Sequence, residues 1–347
     1  MRSSLSRVMV RVVAAIALVA CAGAAVAESG PALYPHAEIN NWGRWGLEDE
    51  RGAANYITPE VIVAAAGLIR TGKVFSLAIP LDEKGPVFPP RLPPHHTMTA
   101  TGADYLADPT TAPFGEGLIR FADDYIYMPL QGSTQWDALS HGWYGGRLYN
   151  NVPESAIRSA PSAGGATRLG IQNVKDGLVG RGILIDVVRY KGGKLPKGHP
   201  ITRADLEGAL ASQGAEVRPG DIVVIRTGFV PGYYALTSPA EKLQYLTGVH
   251  TGLTSDTVPW IHENQIAAVA ADNLAVERIP NDIDPEIVVP MHGNLLRDLG
   301  VYIGEVWWLE ELAADCAKDG RYEFFLAAQP LNITGAVGSP LNPIAIK

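Results

Sequence analysis

The segment Gln131-Gly-Ser-Thr-Gln135-Trp-Asp137-Ala-Leu-Ser-His141 brings two carboxamides, a carboxylate and an imidazole close together in the chain. Read as a strand running into a turn, it places Gln135 and Asp137 on one face, with Gln131 on the same side. Such oxygens are costly to bury unpaired, so they call for a ligand, a cation or a dense hydrogen-bond network. His141, four residues on, reaches the same centre. Far along the chain comes His292-Gly-Asn-Leu-Leu-Arg-Asp-Leu-Gly-Val-Tyr-Ile-Gly-Glu305. A helical turn after His292 and a strand at 301–303 would carry the chain out and back, so that His292 and Glu305 converge. Histidine with carboxylates is the usual makeup of a hydrolytic divalent-metal site. Trp136 and Tyr144 flank these residues and offer rings for stacking on a flat substrate, core packing being the competing reading. His96 and His250 are further candidates for substrate contact. Arg226-Thr227 stands at a strand end, where α/β sheets bind ligands. Asp272 and Glu277 read first as a structural pair. The chain has no G-x-S-x-G elbow, Walker A loop or glycine-rich dinucleotide fingerprint.

These residues need a rigid frame, and the pattern of the chain supplies one. Pro59 to Arg70 predicts a helix with Thr58 as its N-cap. Val74 to Ile79 alternates as a strand does. The proline-rich stretch 82–118 predicts a long loop, which in a compact domain is often an active-site wall. Beyond it, strand and helix alternate. Gly182 to Val188, Gly220 to Arg226 and Ile266 to Ala271 are near-continuous apolar runs, as expected of strands buried on both faces. Thr202-Arg-Ala-Asp205 is a capping-box start for a helix. Thr254 to Glu263 and Leu309 to Ala317 read as helices, and Glu323 to Ala328 as a late strand. The pattern predicts one α/β domain.

The motif Gln131-x-Ser133-Thr134-Gln135-x-Asp137-x-Leu139-x-His141 lies in register with H-x-G-T-H-x-D-x-P-x-H. Downstream come Ile201-Thr-x-x-Asp-Leu, Gly220-Asp-Ile-Val-Val-Ile-Arg-Thr-Gly, Asp272-Asn-x-x-x-Glu277, His292-x-x-Leu-Leu and Gly335-x-x-Gly-Ser-Pro-x-x-Pro. On these motifs, residues 70–346 resemble the cyclase family of metal-dependent hydrolases, which includes bacterial kynurenine formamidase, isatin hydrolase and lactone hydrolases. The resemblance implies a single domain with a central mixed β-sheet and flanking helices, of the swivelling β/β/α type, behind an extended N-terminal arm. It implies Asp137, His292 and Glu305 as metal ligands and His141 as the residue that moves protons. The spacing from His292 to Glu305 is one residue longer than in some relatives. Gln131 and Gln135 replace two metal-binding histidines. An amide oxygen is a harder and weaker donor than imidazole, so the set Asp137, His292, Glu305 and Gln135 points to one divalent ion, Mn²⁺ or Zn²⁺, with preference tilted toward the harder. The implied activity is hydrolysis of a cyclic ester, lactone or amide, or of a linear amide. The alternative is a catalytically degenerate periplasmic protein that binds a small molecule without metal.

Composition narrows the partners. The chain has 36 acidic and 28 basic residues, a formal charge of −8, and no long basic run. That argues against nucleic acid and leaves a small-molecule substrate. Residues 1–27 read as an export leader, with Arg2, Arg7 and Arg11, an apolar run, and Ala25-Val26-Ala27 before the cut. Leu18-Val19-Ala20-Cys21 also resembles a lipobox, so the expected location is periplasmic or secreted, or lipid-anchored through Cys21. Residues 28–69 form an arm and a helix, and 70–347 the hydrolase-like domain. The aromatic, proline-containing arm clamps onto the body or a neighbouring subunit, which suggests a homodimer or homotetramer. Cys316, alone after cleavage, reads as a small buried hydrophobe.

Overall fold

A computed structural model describes residues 36–110, 117, 119–159, 164–284 and 287–347. The leader and Cys21 lie outside the described residues. The core is a nine-stranded mixed sheet. Its strands are β1 (Val74–Ser76), β2 (Gln135–Asp137), β3 (Val179–Asp186), β4 (Ile222–Arg226), β5 (Ala268–Ala271), β6 (Tyr302–Glu305), β7 (Glu323–Ala327), β8 (Gly338–Pro340) and β9 (Ile344–Ile346). They lie in the order β1-β9-β7-β3-β4-β5-β6-β2-β8. The four central strands, β3 to β6, are parallel. The strands on either side run antiparallel to their neighbours.

The parallel strands are the apolar runs of the sequence. Ile183, Leu184, Ile185, Val223, Val224 and Val269 are buried, because helices cover both faces of such a sheet. Those helices start where local chemistry directs. Thr58 accepts from the Val61 N–H at 3.4 Å at the head of Pro59–Ala66. Thr202 and Asp205 form a reciprocal capping box for Arg203–Gln213. Pro259 falls in the first turn of Thr257–Glu263, where a missing N–H costs nothing.

One expectation changes, and the arm takes one of its two expected placements. The stretch 82–118 is not all loop. His95–Ala100 pairs antiparallel with Asp123–Tyr127, and a short helix, Gly102–Ala107, lies between them. The threonines and tyrosines of this segment favour extended chain once the prolines are passed. The arm, for its described part, clamps onto its own body. Asn41 donates to Leu299 O at 2.8 Å and Trp42 Nε1 to Arg297 O at 2.7 Å. The Ala53 N–H reaches Gly300 O at 2.8 Å. These bonds fasten the arm to the segment between His292 and β6, and so brace that segment from outside. No helix among the described residues is long and apolar enough to cross a membrane.

Candidate metal centre

Strand β2 lies between β6 and β8, with Gln135 opposite Glu305 and Asp137 opposite Ile303. Alternation puts Gln135 and Asp137 on one face. The register brings Glu305 beside them from the end of a parallel strand. His292 enters from the last turn of Pro290–His292, just before the π-helical segment Gly293–Leu299. That segment and β6 are the out-and-back path expected from the sequence. Asp137, His292 and Glu305 are all buried, and each offers a ligand atom within 4.8 Å of the others. His292 Nε2 lies 3.4 Å from Glu305 Oε1 and 3.9 Å from Asp137 Oδ2. Ligands about 2 Å from one shared ion lie roughly 3–4 Å apart.

Glu277, read from sequence as structural, orients the histidine. Its carboxylate accepts the backbone N–H groups of Met291 and His292, each at 3.0 Å, and contacts His292 Nδ1 at 2.8 Å. With Nδ1 donating to Glu277, Nε2 is left facing Asp137 and Glu305. A carboxylate behind a histidine in this way fixes its tautomer and raises its basicity. Burial disfavours charge on His292, but hydrogen bonding and attraction to Glu277 and Glu305 outweigh it and raise its pKa to about 10. Burial pushes Asp137 up to about 6; His141 opposes that rise and Glu305 adds to it.

Two atoms at this centre are buried without a hydrogen-bond partner, Asp137 Oδ2 and Gln135 Oε1. No lysine or arginine ion-pairs with Asp137, Glu277 or Glu305 among the described residues. Orphaned oxygen, two carboxylates and an oriented imidazole fit a divalent cation. Gln135 is placed otherwise than expected of a ligand. Its Nε2 donates to Glu305 Oε2 at 2.8 Å and to Asp137 Oδ1 at 3.3 Å. Amide oxygen and nitrogen differ by a half-turn of the side chain, and that half-turn would present Oε1 to the same centre.

The backbone around the centre is strained. Val276, Val289 and Val306 have φ of +58°, +45° and +59°. A β-branched residue in this region is an outlier that its surroundings must enforce. One precedes Glu277, one lies three residues before His292, and one follows Glu305.

The other expected residues divide. His141 is near the centre, with Nε2 3.8 Å from Asp137 Oδ1 and its ring 6.3 Å from that of His292. Burial lowers its pKa, while Asp137 resists that shift. Arg91, which sequence reasoning did not single out, extends its charge to both Asp137 and His141. It stands on the proline-rich stretch expected to wall the site.

Trp136 is corrected. It is fully buried on the opposite face of β2, donates to Ala328 O at 2.7 Å and packs edge-on against Trp307 at 5.0 Å. Gly304 makes room for this pair, since a Cβ there would stand 2.7 Å from the Trp136 ring. Gln131 lies in the turn before β2 rather than on its face, with its amide against Gly338. Tyr144 donates to Asp298 at 2.9 Å under the Arg297 guanidinium, which holds it in a structural network. His96 pairs with Asp124 at 2.7 Å on the exposed hairpin. His250 is buried against Phe229 at 5.0 Å, and its Nε2 contacts Tyr245 O. Asp272 accepts the N–H groups of Thr227 and Gly228 at 2.6 and 2.7 Å, pinning the end of β4.

Comparison with known proteins agrees with this architecture. The family described as "Putative cyclase" matches residues 75–278. The chain is similar to a solved structure described as a novel cyclase, at 70% identity and TM-score 0.84, covering 89% of this chain and 100% of that one. It is also similar to isatin hydrolase A from Labrenzia aggregata, at 20% identity and TM-score 0.57, covering 81% and 94%. Isatin hydrolase A from Ralstonia solanacearum matches at 18% identity and TM-score 0.54, covering 84% and 98%. The likeness to the isatin hydrolases is one of fold. No curated protein matches.

Proposed function

The chain belongs to the cyclase family, and on that premise we propose that it is a metal-dependent hydrolase that opens a cyclic ester, lactone or amide, or cleaves a linear amide. The observation that carries this reading is the buried cluster Asp137–His292–Glu305, with which no lysine or arginine ion-pairs among the described residues. These three residues would hold one Mn²⁺ or Zn²⁺ ion, with Gln135 joining through its oxygen after a half-turn. When bound, the ion would polarise the scissile carbonyl and acidify a water molecule. His141 is not hydrogen-bonded to Asp137 at 3.8 Å, and its side chain is 23% exposed. With its pKa lowered by burial, it is neutral at pH 7, and it takes a proton from water and returns it to the leaving oxygen or nitrogen. Glu277 keeps His292 aimed at the centre. The Arg91 guanidinium, without an ion pair among the described residues, is available to orient a carbonyl or carboxylate of the substrate.

Isatin hydrolases of this fold were solved with benzyl benzoate and with the product analogue thioisatinate, which supports aromatic-ring substrates as the class to screen. Export and homo-oligomerisation belong to the same proposal. The leader pattern supports the first, and the exposed Tyr125 and Tyr127 of the hairpin, 70% and 78% accessible, support the second. One observation favours metal-free ligand binding instead, the donation of the Gln135 amide to both carboxylates.

A panel of lactones, cyclic imides and N-formyl aromatics, assayed with Mn²⁺ or Zn²⁺ and again after chelation, separates the two readings. Hydrolysis should vanish with chelator and return with metal. His141→Gln should keep the metal and lower kcat by roughly 10²–10⁴. The acid limb of kcat/KM should fall below the ordinary histidine value of 6.5. Hydrolysis indifferent to chelator, or parental rates in His141→Gln, would overturn the assignment.

A further inference from the structure

A second feature opens at the same edge of the sheet. Beyond the carboxyl ends of β3 and β4 lies a cavity of about 1060 Å³. None of Gln135, Asp137, His141, His292 and Glu305 lines it. Sites for organic ligands span roughly 300–1000 Å³, mostly apolar with a few convergent polar groups. The walls fit that description. Val188, Leu195, Phe229, Leu236, Tyr245 and Val249 supply apolar surface. Arg226-Thr227, the strand end singled out in the sequence, forms part of the wall.

The charges of the cavity do not balance. Arg226 is committed, with Nε and Nη2 on Glu310 at 2.8 and 2.7 Å and Nη1 on Asp186 at 3.1 Å. Arg189 leans toward Asp186 at 3.7 Å. Lys194 and Lys197, exposed at the rim, have no ion pair among the described residues. One acid of the wall, Glu241, is similarly uncommitted. Two free cations thus face one free acid, in a chain whose net charge is −8.

The walls are also preformed. Thr227 and Gly228 are pinned to Asp272, Tyr245 Oη donates to Phe229 O at 3.1 Å, and Thr251 Oγ1 to Pro196 O at 3.0 Å. A site already shaped loses less entropy when a ligand enters.

We infer that this cavity is a second small-molecule site, separate from the metal centre, for an organic monocarboxylate with an apolar body. The carboxylate meets Lys194 and Lys197 at the rim, and the body lies against Phe229, Leu236 and Tyr245.

Calorimetric titration of the chelator-treated protein with benzoate, benzyl alcohol and benzylamine tests this. Benzoate should bind, and the alcohol and amine should bind at least about tenfold more weakly, the size of one charge-assisted contact. The double variant Lys194→Glu/Lys197→Glu should weaken benzoate by at least about tenfold. Ala235→Trp, which fills the cavity from an exposed position of its wall, should abolish binding. Asp137→Ala should leave it unchanged. No heat with benzoate up to about 10 mM, equal affinity for benzyl alcohol, insensitivity to the lysine or Ala235 variants, or loss in Asp137→Ala would each overturn the inference.

Discussion

At the ends of β3 and β4, Asp186 and Glu310 share the guanidinium of Arg226 through three hydrogen bonds. A few strands along the same edge, Asp137, Glu277 and Glu305 gather around His292 with no arginine or lysine ion-paired to them among the described residues. Both clusters bury carboxylates, and buried carboxylates need compensation. In the first the chain provides the cation, Arg226, even though Asp186 Oδ2 has no hydrogen bond of its own. In the second the chain provides histidines, with His292 held at the correct angle by Glu277, and no lysine or arginine ion pair among the described residues. The backbone beside the second cluster is also strained at three valines, a combination found where geometry serves function rather than stability. The missing charge is what marks the centre as a place for an ion.

Three substitutions sharpen this contrast. Arg226→Met should have the largest effect on the fold. It leaves Asp186 and Glu310 partly buried without their cation, and urea titration should show a loss of about 3–5 kcal/mol. A smaller loss would mean that the first cluster is less dependent on its arginine than the geometry implies.

Next in size is Glu277→Gln. The amide can still touch His292 Nδ1 but no longer polarises it, so metal affinity should drop by roughly 10–100-fold, read by competition with a chelating dye. Unchanged affinity would make Glu277 a purely structural residue.

The smallest effect is expected from Asp137→Asn in metal-free protein, and its sign is the point. Asp137 has a pKa of about 6 in the fold against 3.8 as its ordinary value, so it binds its proton more tightly folded than unfolded. Its contribution to stability is present at acid pH and is lost as pH rises through about 6. Chelated parental protein should therefore melt lower at pH 8 than at pH 5 by more than Asp137→Asn does. At pH 8 the variant should match or exceed the parent. A variant destabilised at pH 8 would put Asp137 in the same class as Asp186.

Much of this was legible in the sequence. Alternation along β2 placed Gln135 and Asp137 on one face, and the apolar runs marked the buried parallel strands. The same alternation sends Trp136 to the other face and so favours the core packing that competes with substrate stacking. Gln131 was misplaced because β2 begins only at Gln135, and nothing in the sequence marks that start. The role of Glu277 was hidden for a different reason. It depends on where the loop after β5 meets Pro290–His292, a tertiary contact without a local period. The pairing of His95–Ala100 with Asp123–Tyr127, which lies beyond the proline-rich stretch, spans an intervening helix and leaves no local signal.

The most direct test is the metal content of protein purified without chelator, measured by plasma mass spectrometry on the parent and on Asp137→Ala. The account predicts close to one equivalent of a divalent transition metal per chain in the parent and almost none in the variant. A parent free of metal even after incubation with Mn²⁺ or Zn²⁺, or a variant that binds as much as the parent, would contradict it.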